Sequence, residues 1–150
     1  MAQSLTRILV HIIFSTKLRA NLIAPEIEPD LHAYLGGICR NHSSPLLCIG
    51  GAEDHVHLLV TLSKTLALSD FVLHLKRDSS MWVKKRFAAF ATFGWQDGYA
   101  GFSVGESQVG RIRTYFAEQK EHHRRVSFQD ELRKFLARYG VEYDERYVWT

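Results

Sequence analysis

Hydrophobic and polar positions alternate along parts of this chain and recur every three or four residues along others, and the two spacings predict strands and helices respectively. Residues 5–17 (LTRILVHIIFSTK) are rich in β-branched and aromatic side chains and end at turn-forming residues, which predicts a first strand. Apolar side chains recur at helical spacing over residues 26–41, after Pro25, a residue suited to a first helical turn. The segments SPLLCIGGAED and DHVHLLVTLS then predict two strands joined by a tight turn.

The second half of the chain predicts a longer helix, a fourth strand and two further helices. The long helix covers residues 68–90 and has a basic outer face. Glycines are concentrated after it, where YAGFSV predicts the fourth strand and GESQVG a flexible connection. The last two helices are expected at about 108–123 and 127–139.

The order of these elements predicts the fold class. Strand, helix, strand, strand, helix, strand is the order of a split βαββαβ fold, ferredoxin-like or RRM-like, an α+β class in which helices cover one face of an antiparallel sheet. A chain of 150 residues suits one packed domain. We therefore predict a single domain over residues 1–150, with a core at about 1–104 and a C-terminal helical part at about 105–150.

Composition indicates the compartment and the possible partners of the protein more than its chemistry. The formal net charge of +3 permits an anionic partner such as nucleic acid without requiring one. Cys39 and Cys48 lack CxxC spacing and are expected to be free thiols of a reducing compartment. The sequence contains neither an apolar run of about eighteen residues nor a small-residue cleavage site after its first apolar segment. These features predict a cytoplasmic protein with no membrane partner.

Two histidines interrupt the apolar strand DHVHLLV. His55 and His57 are two positions apart, so their side chains project from one face of the strand while Val56 projects from the other. Adjacent imidazoles are good ligands for divalent transition metals, which makes a metal site one interpretation. A pair of hydrogen-bonded or partly exposed histidines on an open sheet face is the other interpretation, and the spacing alone leaves both open.

Longer blocks of sequence around this pair resemble a known family. EDHVHLLV is similar to the signature of the HUH nucleases, in which two histidines flank a large hydrophobic residue on a central strand. Together with HIIFSTKLR, LKRDSSMWVKKRF, WQDGYAGFSVGESQ and VGRIRTYFAEQKEHHRRVSFQDELRKFLARYGVEYDERYVW, it makes nearly the whole chain resemble the single-tyrosine, insertion-sequence-200-like transposases. The blocks occur in the same order as in that family.

This resemblance implies a catalytic set. In that family the histidine pair and a polar residue four positions after a helical tyrosine bind Mg²⁺ or Mn²⁺, and the tyrosine is the nucleophile. The matching positions here are His55, His57, Gln119 and Tyr115. Residues four apart lie on one helix face, so a glutamine that reaches the ion would hold Tyr115 near the same ion. The residues by themselves also permit a Tyr115 that packs in a core and a Gln119 that is solvated.

The activity that the resemblance implies is DNA transposition. Tyr115 would cut single-stranded DNA and form a 5′-phosphotyrosine, which the 3′-hydroxyl of another strand would resolve without ATP. The resemblance also implies imperfect DNA hairpins as partners, a homodimer and no small-molecule substrate. The GESQVG connection would let Tyr115 reach the site of its own chain or of a partner chain, and the sequence leaves this open. A host-adapted HUH endonuclease or ligase and a non-catalytic nucleic-acid-binding module are the alternatives.

Further residues are candidates for DNA contacts or for orienting the histidines. Asp54 either holds an imidazole or caps the turn, and His11 either lines the site or is an ordinary sheet histidine. Basic side chains can follow phosphates, and an exposed tryptophan can stack on unpaired bases. The DNA-binding candidates are Lys76, Arg77, Lys84, Trp95, Arg111 and Arg113.

Overall fold

Four antiparallel strands form one sheet with the order β2-β3-β1-β4 in the computed structural model, which describes residues 2–150. The strands are β1 (Leu9–Ser15), β2 (Leu46–Ala52), β3 (His55–Thr61) and β4 (Ala100–Val104). The helices are α1 (Glu28–Asn41), α2 (Leu68–Arg86), α3 (Val109–Ala117), α4 (Gln119–His122) and α5 (Phe128–Arg138). This order confirms the predicted split α+β fold. Within residues 2–150, no helix is long and apolar enough to cross a lipid bilayer.

Alternation along β3 separates an apolar face from a polar one. Val56, Leu58 and Val60 belong to the main core, in which α1 and α2 pack against the sheet. His55 and His57 lie on the other face, as the two-residue period of a strand requires. The central strand therefore stabilises the core with one face and presents the imidazoles with the other.

The C-terminal helices cover this second face of the sheet, which the prediction of helices on one face did not include. Leu132 and Leu136 of α5 pack against Phe102 of β4, and Phe116 of α3 packs against Leu59 of β3. Burial of these side chains stabilises the attachment of the C-terminal part. The histidine side of the sheet is therefore a buried interface and not an open surface.

The segment that carries the tyrosine is more ordered at its start, and less regular at its end, than its sequence indicated. GESQVG contains a 3-10 turn, and the side chain of Gln108 accepts a hydrogen bond from the backbone N–H of Gly105. The helix predicted at 108–123 is interrupted at Glu118, whose φ of −96° and ψ of 9° leave the α-helical range. Tyrosine and glutamine are therefore carried by two short helices, α3 and α4.

Helix α3 lies so close to β2 that only glycine fits at the contact. A Cβ atom on Gly50 would lie 2.8 Å from the Cβ of Phe116 and closer still to the carbonyl oxygen of Phe116. Atoms at that separation overlap, so a side chain at Gly50 is incompatible with the depth at which α3 packs. Because Phe116 follows Tyr115, this contact also sets the height of Tyr115 above the sheet.

Replacing Gly50 with alanine is expected to push α3 away from the sheet and to lower the free energy of unfolding by about 1–3 kcal/mol, as overpacking of a core does. Urea unfolding followed by circular dichroism measures this change. Gly110→Ala is the matched control, since no atom lies within 4 Å of a Cβ at that exposed position of α3. A Gly50→Ala protein as stable as the parent would contradict the close contact.

Candidate active site

The histidine pair, the tyrosine and the glutamine meet in a buried space between β3 and the C-terminal helices. His55 and His57 are fully buried there. The Nε2 atom of His55 lies 3.1 Å from the Oε1 atom of Gln119. The rings of His57 and Tyr115 are 5.8 Å apart between centroids. These four side chains belong to the same chain.

A buried carboxylate, Glu131 of α5, joins the tyrosine to the histidines, and it is not among the site residues that the sequence predicts. Its Oε1 atom lies 3.0 Å from the Nε2 atom of His57. Its Oε2 atom accepts hydrogen bonds from the hydroxyl of Tyr115 and, at 3.2 Å, from the side-chain amide of Gln119. Only 2% of Glu131 is exposed, and a carboxylate so deeply buried requires partners of this kind.

The sequence does carry a signal for Glu131, because it is a charged residue on the apolar face of an amphipathic helix. Phe128, Leu132 and Leu136 are buried at helical spacing along α5, and Glu131 is buried with them. A charged side chain at such a position indicates a buried partner. The pattern does not identify the partner, since His57 lies 74 residues earlier in the chain.

His123 is a further imidazole at the site. Its Nε2 atom lies 2.9 Å from Oε1 of Gln119 and 3.2 Å from Oε2 of Glu131. In the sequence it belongs to a basic run, HHRR, which suggests a solvent-exposed surface and conceals its inward orientation. Four ligand atoms at the site lie within 4.8 Å of one another, and they belong to His55, His57, His123 and Glu131.

Each histidine of the pair is held by a second hydrogen bond. The Nδ1 atom of His55 donates to Asp54 at 2.7 Å, and the Nδ1 atom of His57 lies 2.8 Å from Nε2 of His11 on β1. Both imidazoles therefore direct their Nε2 atoms toward the C-terminal helices. Metal-ligating histidines are commonly oriented in this way. The structure thus brings Asp54 and His11, the two predicted orienting residues, into contact with the pair.

The acceptor atoms of the site face one another in a manner that suits a cation. When Nδ1 of His55 donates to Asp54, Nε2 of His55 carries a lone pair, and this lone pair faces the carbonyl oxygen of Gln119. Two acceptors in that position attract each other only through a proton or a metal ion between them. Imidazole nitrogens with amide and carboxylate oxygens suit Mn²⁺, and the oxygens suit Mg²⁺. The donor set therefore fits the ion that the family resemblance implies.

Burial and hydrogen bonding set the charge states at the site. Burial lowers the pKa of His57 to about 4 and also lowers the pKa of His11, so both rings are neutral at neutral pH. Burial alone would raise the pKa of Glu131, but hydrogen bonds from His123 and His57 outweigh it and hold that pKa well below its ordinary value. Burial, together with the adjacent Glu131 carboxylate, raises the pKa of Tyr115 above its usual range. A protonated phenol therefore lies beside an ionised carboxylate.

Trp95, one of the predicted DNA-binding residues, is not exposed. Its ring packs edge-on against Phe14 with centroids 4.8 Å apart, and its indole N–H donates to the hydroxyl of Ser79. An isolated β-bridge pairs Trp95 with Thr16 and so places the side chain in the main core. The expectation of an exposed ring that stacks on DNA bases is wrong.

The five basic candidates differ in position and availability. The Lys76 ammonium donates to three backbone carbonyls, and burial lowers the pKa of Lys76 to about 8, so this lysine is engaged within the protein. Arg77 and Lys84 are exposed on α2, which packs on the face of the sheet opposite to the histidines. Arg111 and Arg113 are exposed on α3, and Arg113 donates to a backbone carbonyl of β2.

Comparison with known proteins assigns this chain to a family. The profile of the family described as "Transposase IS200 like" matches residues 4–119. The ISDra2 transposase TnpA of Deinococcus radiodurans is 25% identical over 119 residues, which cover 74% of this chain and 83% of that protein. The transposase for insertion sequence element IS200 of Salmonella typhimurium is 25% identical over 116 residues, which cover 74% of this chain and 76% of that protein. The chain belongs to the IS200-like transposase family, as its sequence resemblance predicts.

Solved structures share the fold. A crystal structure assigned to a transposase of Deinococcus radiodurans has a TM-score of 0.63 at 24% identity and covers 79% of this chain and 98% of that chain. A REP-associated tyrosine transposase bound to a REP hairpin has a TM-score of 0.59 at 11% identity, covering 82% of this chain and 74% of that chain. The family match ends at residue 119, so Glu131 lies beyond the region that the family profile describes.

Replacing His11 with phenylalanine is expected to weaken Mn²⁺ binding by about 10- to 100-fold, because the ring of His57 loses the partner that orients it. Phenylalanine keeps the aromatic contacts that His11 makes with Phe102 and Phe116. Titration of free Mn²⁺ by electron paramagnetic resonance measures the affinity. Leu73→Phe, at an exposed position of α2 without a metal-ligating side chain, is the control and should bind Mn²⁺ as the parent does. An unchanged affinity in His11→Phe would argue against this orienting role.

Proposed function

We propose that this chain cuts and rejoins single-stranded DNA through a covalent 5′-phosphotyrosine on Tyr115. The observation that carries the proposal is the convergence of the Tyr115 hydroxyl, Glu131 and two buried histidines within one chain. Membership of the IS200-like transposase family supports DNA as the substrate. The structural relative bound to a REP hairpin supports a substrate that carries a hairpin.

His55, His57, Gln119 and Glu131 would hold a divalent ion, Mg²⁺ or Mn²⁺. Gln119 is the third ligand that the family resemblance implies, and Glu131 is the ligand that the geometry adds. When bound, such an ion polarises the scissile phosphodiester and offsets the negative charge of the transition state. One anionic ligand beside neutral imidazoles strengthens the attraction for the cation while leaving net positive charge for the phosphate.

Tyr115 is the nucleophile in this proposal, and Glu131 accepts its proton. Glu131 already accepts the hydrogen bond of the phenol, so the proton has a short path to an ionised carboxylate. The tyrosine oxygen forms a bond to phosphorus, the P–O3′ bond breaks, and the leaving oxygen gains a proton to become a 3′-hydroxyl. Because the new ester retains the phosphodiester bond energy, the 3′-hydroxyl of a second strand reverses the step and joins DNA without ATP.

The working unit in this proposal is a homodimer in which each chain holds a complete site. The family resemblance implies the dimer, and the position of Tyr115 beside His57 of its own chain supports assembly in cis. The substrate is a DNA strand and not a small molecule, in keeping with the exposed cations of α3.

Incubation with labelled single-stranded hairpin DNA and Mn²⁺ is expected to give a covalent adduct that migrates slowly on a denaturing gel. Tyr115→Phe should abolish the adduct because the nucleophilic oxygen is gone. Glu131→Gln should slow its formation by at least about 10²- to 10⁴-fold, because the proton acceptor and the anionic metal ligand are lost together. Tyr147→Phe, at a tyrosine that is 65% exposed, is the control and should form the adduct normally. Absence of an adduct in the parent across several hairpins would favour a non-catalytic nucleic-acid-binding module.

A mixture of His57→Ala and Tyr115→Phe proteins is expected to form no adduct, whether the chains associate or not. Each site would lack either a metal ligand or the nucleophile, because both come from the same chain. The adduct gel on the refolded mixture measures this, with parent chains mixed in equal amount as the positive control. Adduct formation at a substantial fraction of the parent level would show that the tyrosine acts on a partner chain.

A further inference from the structure

Helix α5 presents one face to Tyr115, and this face carries two cations in addition to Glu131. Lys134, Phe135 and Arg138 follow Glu131 by three, four and seven positions, so all four share a side of the helix. The ring of Phe135 packs edge-on against the ring of Tyr115 with centroids 6.0 Å apart, which fixes this side of α5 beside the nucleophile. Lys134 and Arg138 are exposed.

Two openings border Tyr115. The first, here called the α4-side opening, has a volume of about 180 Å³ and is lined on one wall by Glu131 and Lys134. The second, the α3-side opening, has a volume of about 130 Å³ and is lined on one wall by His11 and Arg111. Both openings share three lining residues, which are Tyr115, Phe135 and Arg138. Arg138 therefore lies where the two openings meet.

The cations of the two openings are free to bind an external anion. Among residues 2–150, Lys134, Arg138 and Arg111 have no carboxylate within ion-pair distance, whereas the neighbouring Arg133 is paired with Glu145 at 2.7 Å. A cation that is not neutralised inside the protein retains its full attraction for phosphate. Three such cations around one tyrosine form a positively charged approach to its hydroxyl.

We propose that Arg138 binds the DNA backbone phosphate where the single strand crosses Tyr115, with Lys134 and Arg111 contacting the phosphates on either side. The inference rests on the proposed function and adds the path along which the single DNA strand passes Tyr115. A scissile phosphodiester has to reach Tyr115 from solvent, and the two openings provide that access. The planar guanidinium of arginine binds two phosphate oxygens through parallel hydrogen bonds, which suits the position shared by both openings.

The test measures the affinity for a fluorescent single strand at several NaCl concentrations, in EDTA and in the Tyr115→Phe background, so that neither cleavage nor metal contributes. Arg138→Gln should weaken binding by about tenfold and make the plot of log affinity against log salt less steep by about 0.7 for the lost phosphate contact. Arg138→Lys should keep most of the slope, because its charge is retained, with an intermediate affinity.

Lys85→Gln is the matched control, because it removes the same charge from an exposed position on α2, across the sheet from Tyr115. It should stay within about twofold of the parent affinity. An unchanged salt slope in Arg138→Gln, or an equal loss in Lys85→Gln, would overturn the assignment. The adduct assay on the parent protein separates the two proposals. If the parent forms the adduct and Arg138→Gln leaves the salt dependence of DNA affinity unchanged, only the phosphate site is refuted. A reduced slope without any adduct would support the binding path and refute the covalent chemistry.

Discussion

The hydrogen bonds of one buried carboxylate connect the parts of the site. Glu131 lies on α5, His57 on β3 and Tyr115 on α3, and the carboxylate contacts the other two side chains directly. An ionised carboxylate in a protein interior costs several kcal/mol unless its partners compensate for the lost water. The position of the C-terminal helices is therefore coupled to the chemistry of the histidines, since displacement of α5 would leave this charge without partners.

The two faces of the sheet have different roles: one packs in the main core, and the other carries the polar cluster. One face packs against α1 and α2 through an apolar core, and the other is closed by α3, α4 and α5 over a polar cluster. Closure of the second face lowers the local dielectric and so strengthens each electrostatic contact at the site. The close packing of α3 against Gly50 contributes to this arrangement, because it holds the hydroxyl of Tyr115 near enough to the sheet to contact the carboxylate of Glu131.

The sequence predicts the parts of this structure that depend on short-range pattern. Strand alternation is sufficient to place His55 and His57 on one face, and family resemblance identifies Tyr115 and Gln119. Glu131 is not predicted because its partners are remote in sequence, so only the tertiary structure shows which side chains its carboxylate contacts. Trp95 is wrongly predicted because glycine and polar neighbours are typical of exposed segments, whereas a β-bridge with Thr16 draws it into the core.

The contact between His11 and His57 joins neighbouring strands and therefore depends on their register. In the observed pairing, Ile13 of β1 lies opposite His57 and His11 lies opposite Leu59. A slip of β3 by one residue would exchange its two faces, placing imidazoles among the aliphatic side chains and valines beside the tyrosine. A misaligned sheet would thus be both poorly packed and unable to ligate an ion. With the proposed ion, the number of Mn²⁺ ions bound per chain after refolding would therefore measure the fraction of molecules whose central strands are correctly aligned.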